Sequence, residues 1–224
     1  MTLLEPDAPE SLQGPPVPVL ETERLVLRAP RFDDAATIAA LANDRRIAEN
    51  TLRVPHPYTL ADAQAFLTAA NTRGGKIVFL ITAWDGAVLG CCGIGKLDGE
   101  HPEIGYWLGV PFWGKGYATE AARALIDHAF GEIGYPVLVS GARVSNPASR
   151  RVLQKCGFEW TGVGLYRIRA LASSAPVDRF RLDRGLWASL KSWGKVQEEP
   201  DRAPDLHRDS SRPAGVASGA GGGR

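Results

Sequence analysis

The chain has 224 residues, 44% of them hydrophobic, and a formal net charge of +1. A chain of this length can bury one sizeable core or at most two small ones. The near balance of acidic and basic residues, without a long basic run, argues against a protein that binds nucleic acid.

The two ends of the chain differ in composition from the middle. Residues 1–22 contain five prolines and no Lys or Arg, and residues 194–224 contain six glycines and no aromatic residue. Such segments bury too little apolar surface to offset the entropy lost on ordering. We therefore expect a flexible arm at 1–19, a single domain at 20–193 and a flexible tail at 194–224.

The cysteines indicate the environment of the protein. Cys91, Cys92 and Cys156 cannot all pair with one another, and no spacing of Cys or His residues is typical of a metal site. A leader-like start and an apolar run of membrane-spanning length are both missing from the sequence. We expect buried free thiols in a cytoplasmic protein with no metal and no membrane contact.

The first half of the domain predicts one strand and two helices before a run of strands. Residues 23–29 alternate in hydrophobicity, which is typical of a half-exposed strand. Asp33 is a favourable N-cap for the alanine-rich helix that follows. The spacing at Thr59–Asp62 resembles a capping box and predicts a second helix that fades at residues 74–75.

Three β-rich segments follow one another at 76–83, 87–97 and 101–110. An Asp85–Gly86 turn joins the first two, which predicts an antiparallel hairpin. The apolar residues of 118–130 then repeat at helical spacing and form one face. Residues 136–144 are predicted to form the next strand.

The last elements begin at Asn146–Pro147, where Asn is a strong N-cap and Pro suits the first helical position. Gly157 is placed as the left-handed residue that ends this helix. Strands at about 158–168 and 177–183 and a short helix through 187–193 follow. The whole is a mixed α/β fold of the α+β type, largely antiparallel in its first half.

The segment Gly109–Gly116 matches a phosphate-binding Walker A loop only in part. Gly114 and Lys115 fit the pattern, but Gly116 stands where the Mg²⁺-binding Ser or Thr is required. A dinucleotide-binding fingerprint also fails, because Thr119 stands at its third glycine. A variant nucleotide hydrolase, which predicts Mg²⁺-dependent nucleotide binding, is thus a rival interpretation.

The same turn, WGKGYAT, is better suited to an anion held without a metal. Glycines at 114 and 116 let several backbone N–H groups turn toward one point at the start of a helix, where the helix dipole favours negative charge. Lys115 adds a positive charge, and the Thr119 hydroxyl adds a hydrogen bond. We predict that this turn binds a phosphate group.

Two motifs carry a family resemblance. EIGYWLGVPFWGKGYATEAARALIDHAF resembles the coenzyme A diphosphate motif of the GNAT acetyltransferases. Gly116 and Ala118 hold its small positions, and Trp113 replaces the usual Arg or Gln. Further along, NPASRRVLQKCGF is similar to the second motif of the branch of ribosomal-protein N-terminal acetyltransferases, and the order of elements agrees over roughly residues 20–193.

The resemblance implies a GNAT fold, in which helices cover both faces of a central, mostly antiparallel sheet that is splayed at the coenzyme site. It also implies that acetyl-CoA is the co-substrate and that no metal takes part. The expected coenzyme-binding residues are Leu108, Gly109, Val110, Trp113, Gly114, Lys115, Gly116, Tyr117, Ala118, Thr119 and Asn146.

The resemblance further implies the catalytic groups. A backbone N–H within residues 108–110 is expected to stabilise the oxyanion. Glu103 on the same strand is the expected base, acting through water, and a solvent-facing carboxylate is the alternative. Leu153 holds the position of the tyrosine that many family members use as the acid. Ser149 is the expected substitute, and a serine that only satisfies backbone groups is the alternative.

The implied reaction is direct transfer of an acetyl group from acetyl-CoA to a primary amine, either a small molecule or a protein N-terminus. Tyr58 and the loop 45–56 resemble the acceptor-side loop of the family. The rival within the same fold is a non-catalytic protein that binds acyl-CoA or another partner. The oligomeric state stays open, with a homodimer as one option.

Overall fold

The computed structural model describes residues 17–72, 76–96 and 99–198. The strands are β1 (Leu20–Glu21), β2 (Leu25–Arg28), β3 (Lys76–Ala83), β4 (Val88–Gly95), β5 (Glu103–Leu108), β6 (Val137–Arg143), β7 (Glu159–Ile168) and β8 (Ser173–Asp183). The helices are α1 (Ala35–Ala42), α2 (Arg45–Ala48), α3 (Leu60–Asn71), α4 (Tyr117–Gly131), α5 (Pro147–Lys155) and α6 (Arg184–Glu198). The predicted flexible arm at 1–19 and tail at 194–224 lie largely outside the described residues.

The strands form one sheet in the order β1-β2-β3-β4-β5-β6-β8-β7. Each neighbouring pair is antiparallel except β5 and β6, which run parallel. The parallel pair results from the crossover through α4, because parallel neighbours cannot be joined by a tight turn. The expected mixed fold with a mostly antiparallel sheet is confirmed.

Two hydrophobic clusters cover the two faces of the sheet. The larger one joins the sheet to α4 and α5 through side chains such as Leu125, Phe130 and Leu153, all of them fully buried. The smaller one joins the other face to α1 and α3 through residues that include Ile38 and Leu67. Helices on both faces are therefore confirmed as well, and strand side chains alternate between the two clusters.

Local capping chemistry was predicted correctly at three helix ends. Thr59 and Asp62 form a complete capping box at the start of α3. The Asn146 side chain accepts a hydrogen bond from the Ser149 N–H at the start of α5. Gly157 follows α5 with a φ of 86°, the left-handed conformation that favours glycine.

The predicted cap of α1 was wrong by one residue. Asp33 lies inside a 3₁₀ turn, Phe32–Asp34, and Asp34 is the residue that precedes α1. The Asp34 carboxylate accepts hydrogen bonds from the Arg28 guanidinium and the Arg31 N–H. The ion pair with Arg28 of the preceding strand thus makes Asp34 the residue that precedes α1. The spacing of residues in the sequence did not indicate this ion pair.

Further elements extend beyond the predicted bounds. The last strand begins at Ser173, and α6 begins at Arg184. The segment after α1, where no regular pattern is seen, contains the short helix α2. None of the helices in the described part of the chain combines the length and the apolar character needed to cross a membrane.

The cysteines are buried free thiols, as predicted. Burial raises the pKa of the Cys91 thiol to about 12 and that of Cys156 to about 11. A thiol with so high a pKa is a poor nucleophile near neutral pH. Cysteine chemistry is therefore disfavoured in this fold.

Candidate active site

A cleft of about 1020 Å³ lies where β5 and β6 separate. It brings together most of the residues predicted to act in binding or catalysis. Those that line it are Glu103, Leu108, Trp113, Gly114, Gly116, Tyr117, Ala118, Thr119, Asn146 and Ser149. Three predicted residues, Gly109, Val110 and Lys115, are not among the residues that line it.

The separation of β5 from β6 begins near the start of both strands. A single residue pair, Glu103 with Val139, joins them in register. The Ser140 hydroxyl then donates a hydrogen bond to the Ile104 carbonyl at 3.0 Å. Beyond this point β5 continues to Leu108 without a further register partner on β6, which leaves backbone groups of β5 facing the cleft.

This geometry limits which backbone N–H within residues 108–110 can act as the predicted oxyanion donor. The Gly109 N–H donates to the Leu89 carbonyl at 2.8 Å, so this N–H is already bonded within the sheet. Because donors alternate between the two edges of a strand, the Leu108 N–H points toward the gap beside β6. Trp113 Nε1 donates to the Leu108 carbonyl at 2.7 Å and holds this end of β5 in place.

Packing between α1 and the end of β5 requires a glycine at position 109. A Cβ there would lie 2.8 Å from Leu41 Cδ2 and 3.3 Å from a ring carbon of Phe112. Gly109 therefore permits α1 to pack against the end of β5, and this packing accounts for the glycine without close approach of a coenzyme.

The turn that precedes α4 exposes several backbone amides. Gly114 and Gly116 have φ values of 74° and 84°, and Gly116 is the N-cap of α4 without a side-chain capping bond. No described residue accepts a hydrogen bond from the amides of residues 114–118. A Cβ at Gly114 would meet nothing within 4 Å. The predicted anion site thus has open space in front of free donors.

Lys115 is not among the residues that line the cleft. Its Nζ lies 5.9 Å from the centroid of the Phe112 ring, and the residue is exposed. A flexible, solvated ammonium contributes less to a fixed phosphate site than a backbone amide held by the fold. The backbone of Lys115, rather than its side chain, belongs to the candidate site.

An arginine that sequence analysis missed neutralises the only acidic side chain in the first turn of α4. Within the described residues, Arg24 forms an ion pair with Glu120 at 2.6 Å and donates to the Lys115 carbonyl at 3.0 Å. Burial alone raises the pKa of Glu120, but hydrogen bonds from Thr22 and Arg24 outweigh it and hold this pKa below its usual value. The Glu120 charge is thereby matched inside the fold, so it opposes an incoming anion less.

Glu103 lies at the floor of the cleft beside a cation. Its Oε2 is 3.8 Å from Arg179 Nη1. Arg179 crosses above Gly141, where a Cβ would be 4.0 Å from Arg179 Nη1 and 2.9 Å from a Val177 methyl. Glu103 is partly buried in this charge pair, and its role as a base stays a prediction.

Ser149 has a hydroxyl partner that sequence analysis also missed. The Tyr106 hydroxyl lies 3.1 Å from Ser149 Oγ and donates to the Ser149 carbonyl at 3.2 Å. Burial raises the pKa of the Tyr106 phenol well above its usual value, although the bond to Ser149 acts in the opposite direction. The residue that holds the expected tyrosine position, Leu153, is buried in the core. A tyrosine is thus present at the site, but it comes from β5.

The loop that resembles the acceptor-side loop of the family contributes residues to the lining of the cleft. Tyr58 lines the cleft together with the segment from Asn50 to Pro55. Burial is the main cause that raises the pKa of Tyr58 to about 12. The Tyr58 N–H donates to Asn43 Oδ1 at 2.9 Å, which attaches the loop to the end of α1.

Comparisons with known proteins agree with this architecture. Residues 24–159 match the family model described as an acetyltransferase (GNAT) domain. A relative from Bacillus licheniformis, named uncharacterized N-acetyltransferase p20, is 28% identical over 151 residues, which are 64% of this chain and 84% of the relative.

Two solved structures share the fold at low sequence identity. The ribosomal-protein acetyltransferase RimL, in complex with coenzyme A, aligns with a TM-score of 0.66 at 18% identity over 74% of this chain and 98% of that one. A chimera of the spermidine N-acetyltransferase SpeG from Vibrio cholerae with hSSAT aligns with a TM-score of 0.63 at 17% identity over 73% and 98% of the two chains.

Proposed function

This chain belongs to the GNAT family of acetyltransferases, and from that premise we propose how its cleft works. The protein is an N-acetyltransferase, which transfers an acetyl group from acetyl-CoA to a primary amine. The observation that carries our assignment of the site is the set of free amides at residues 114–118 that face the cleft.

The first step is coenzyme binding at the turn before α4. The free N–H groups of residues 114–118 and the dipole of α4 bind the diphosphate of acetyl-CoA. Trp113, Tyr117, Ala118 and Thr119 line the adjacent wall. Asn146 lines the cleft at the start of α5, so its side-chain amide is placed to contact the pantetheine arm.

The second step is attack on the thioester. The neutral amine nitrogen attacks the carbonyl carbon of the acetyl group, and the carbonyl oxygen gains negative charge as the new C–N bond forms. The Leu108 N–H, which points into the gap beside β6, donates to that oxygen. The splay of the two strands supports this role, because it provides room for the pantetheine arm next to an unpaired edge of β5.

The third step is proton transfer. An ammonium of pKa about 8–10 must lose a proton before it can attack, and Glu103 accepts this proton through water. When the C–S bond breaks, the attacking nitrogen loses its second proton to solvent and the amide forms. The thiolate of coenzyme A takes a proton from the Ser149 hydroxyl. The Tyr106 hydroxyl lies within hydrogen-bond distance of Ser149 Oγ and is placed to resupply that proton, and solvent finally returns a proton to this pair of hydroxyls.

The acceptor is either a small amine or a protein N-terminus. The named neighbours of this fold include both a ribosomal-protein acetyltransferase and a spermidine acetyltransferase, so the fold is compatible with either kind. Three buried free thiols support a reducing compartment, and we place the reaction in the cytoplasm. A homodimer stays a prediction.

The decisive experiment measures free thiol when the protein is incubated with acetyl-CoA and a panel of amines and N-terminal peptides. We expect thiol release that depends on an amine, with an acetylated product of the matching mass. Coenzyme A binding without release for any amine would instead support the non-catalytic rival. Mg²⁺-dependent nucleotide binding without affinity for coenzyme A would support the nucleotide hydrolase.

A further inference from the structure

Three charged side chains share one face of the sheet, opposite α4 and α5. Ile104 and Leu108 pack into the cluster that contains α4, so strand alternation places Glu103 on the other face. In the same way, Ala142 packs toward α4, which turns Arg143 toward the face of Glu103. Arg179 stands directly across from Gly141 and lies on this face too.

Two of the basic residues on this side of the cleft have a carboxylate nearby. Arg179 lies 3.8 Å from Glu103, and Arg169 lies 4.0 Å from Asp62. These pairs leave little unmatched charge at their own positions.

Arg143 differs from Arg179 and Arg169 in that its described partners are not carboxylates. Its Nη1 donates to the Glu49 backbone carbonyl at 2.6 Å, and its Nε is buried without a hydrogen-bond partner among the described residues. No described carboxylate lies within the 4.0 Å limit of an ion pair from its guanidinium. Arg143 lines the cleft, and so does Arg53 from the neighbouring loop.

Arg143 lines the cleft with a positive charge that no described carboxylate matches, and a partly buried charge without a counter-charge is unfavourable. A planar guanidinium pairs best with a carboxylate or a phosphate, whose two oxygens match its donors. The space in front of Arg143 is thus suited to an anion that a ligand supplies.

This anion is distinct from the coenzyme diphosphate. The free amides of residues 114–118 lie at the start of α4, and α4 packs on the opposite face of the sheet from Arg143. On the coenzyme side the cleft has its own cations, Arg151 and Lys155 of α5. The Arg143 position instead shares its face with Glu103, the proposed base, and thus with the acceptor.

We propose that Arg143 binds an anionic group of the acceptor. Granted the proposed function, the acceptor is a primary amine that also carries a carboxylate or a phosphate. Arg143 holds this anion while Glu103 receives the proton from the amine. A polycationic amine is a poor acceptor, because it would bring further positive charge to an arginine that has no counter-charge.

The test compares matched acceptors on the wild-type protein. The pairs are β-alanine with β-alaninamide, phosphoethanolamine with ethanolamine, and a peptide beginning Ser-Asp with one beginning Ser-Asn. We expect the anionic member of at least one pair to show a kcat/KM at least tenfold higher by thiol release. The pair that responds identifies the source of the anion. Equal or better values for the neutral member of every pair overturn the proposal.

The variant Arg143→Gln should lose this discrimination while its KM for acetyl-CoA stays within twofold. Arg143→Lys, which keeps the positive charge, should retain part of the discrimination between anionic and neutral acceptors. This variant provides the test if Arg143→Gln does not fold. Arg181→Gln is the matched control, because Arg181 is an exposed arginine of β8 outside the cleft. A loss of acetyl-CoA affinity in Arg143→Gln, with discrimination unchanged, would assign the anion to the coenzyme and overturn the proposal.

Failure of this inference is distinguishable from failure of the proposed function. Thiol release that is equally fast with anionic and neutral acceptors would rule out the anion site at Arg143, while the proposed acetyltransferase activity would stand. Absence of release with every amine, despite binding of coenzyme A, removes the proposed function and with it this role of Arg143.

Discussion

The hydroxyl oxygens of Tyr106 and Ser149 lie 3.1 Å apart, although 43 positions separate the two residues in the chain. The contact joins the middle of β5 to the first turn of α5 and lies on the wall of the cleft. It replaces the tyrosine that many members of the family carry on the helix, where this chain has Leu153. A proton path to the leaving thiolate can thus be built from two elements instead of one.

If Ser149 is the proton donor, Ser149→Ala should lower kcat by about 10²-fold with little change in KM for acetyl-CoA. Ser189→Ala is the matched control, since Ser189 is exposed on α6 and its hydroxyl donates to the Gly185 carbonyl, away from the cleft. Stopped-flow thiol detection measures the rate. A Ser149→Ala enzyme with the kcat of the wild type would leave the serine with a capping role only.

If Tyr106 acts through Ser149, Tyr106→Phe should lower kcat by a smaller factor and displace the basic limb of the pH–kcat profile. A purely structural hydroxyl would cost about 1 kcal/mol of unfolding free energy and leave the profile in place. Urea unfolding and the pH profile, measured on the same variant, separate these two outcomes.

Gly114→Glu should weaken coenzyme A binding at least tenfold, because it adds bulk and negative charge where the diphosphate binds. Gly134→Glu is a close control: its φ is 81°, a Cβ there meets nothing within 4 Å, and it is outside the cleft. Both variants carry the same backbone strain of about 1 kcal/mol. Titration calorimetry measures binding, and equal affinities in the two variants would contradict the placement of the site.

Glu103→Gln should lower kcat/KM by about 10²–10⁴-fold near neutral pH, which is the range for loss of a general base. Part of the activity should return at high pH, where the amine loses its proton without help. Glu159→Gln, on the exposed edge strand, serves as the control. A parallel pH–rate profile for Glu103→Gln and the wild type would show that Glu103 takes no proton from the amine.

The Arg24–Glu120 pair should make part of the stability depend on pH. Hydrogen bonds hold the folded-state pKa of Glu120 below its ordinary value of 4.5 in spite of burial. A depressed pKa stabilises the fold above pH 4.5, and this contribution is lost as the pH falls through the folded-state value.

We therefore expect Glu120→Gln to cost about 1–3 kcal/mol of unfolding free energy at pH 7 and much less at pH 3. The exposed Glu132, changed to Gln, is the control. Urea unfolding at both pH values measures the difference. A pH-independent cost for Glu120→Gln would mean that packing, and not the charge pair, accounts for it.

The positions of helices and strands could be predicted because their causes lie within a few residues. Alternation of apolar residues determined β2, and side chains next to the first turn determined where α3 and α5 begin. The cap at Asp34 could not be predicted in this way, because its partner Arg28 lies on the preceding strand. The short helix α2 has too few residues for its apolar side chains to show a helical repeat.

The backbone conformation of the turn proposed to bind the coenzyme could be predicted for the same reason. Its glycines, its amides and the helix behind them are contiguous in sequence, so their geometry depends mainly on local backbone conformation. The choice between Leu108 and Gly109 as a donor could not be made, because it depends on which residue pairs with Leu89 of another strand.

The sequence by itself determined the family and the fold class, and it predicted the turn proposed to bind the coenzyme, because short contiguous motifs carry each of these signals. Only the tertiary structure decided which charges are matched and which are not. Arg24 meets Glu120 across 96 positions, Tyr106 meets Ser149, and Arg143 reaches the cleft with a buried N–H that has no described partner. The physical reason is that a hydrogen bond or an ion pair depends on distance in space, which the packing of remote elements sets.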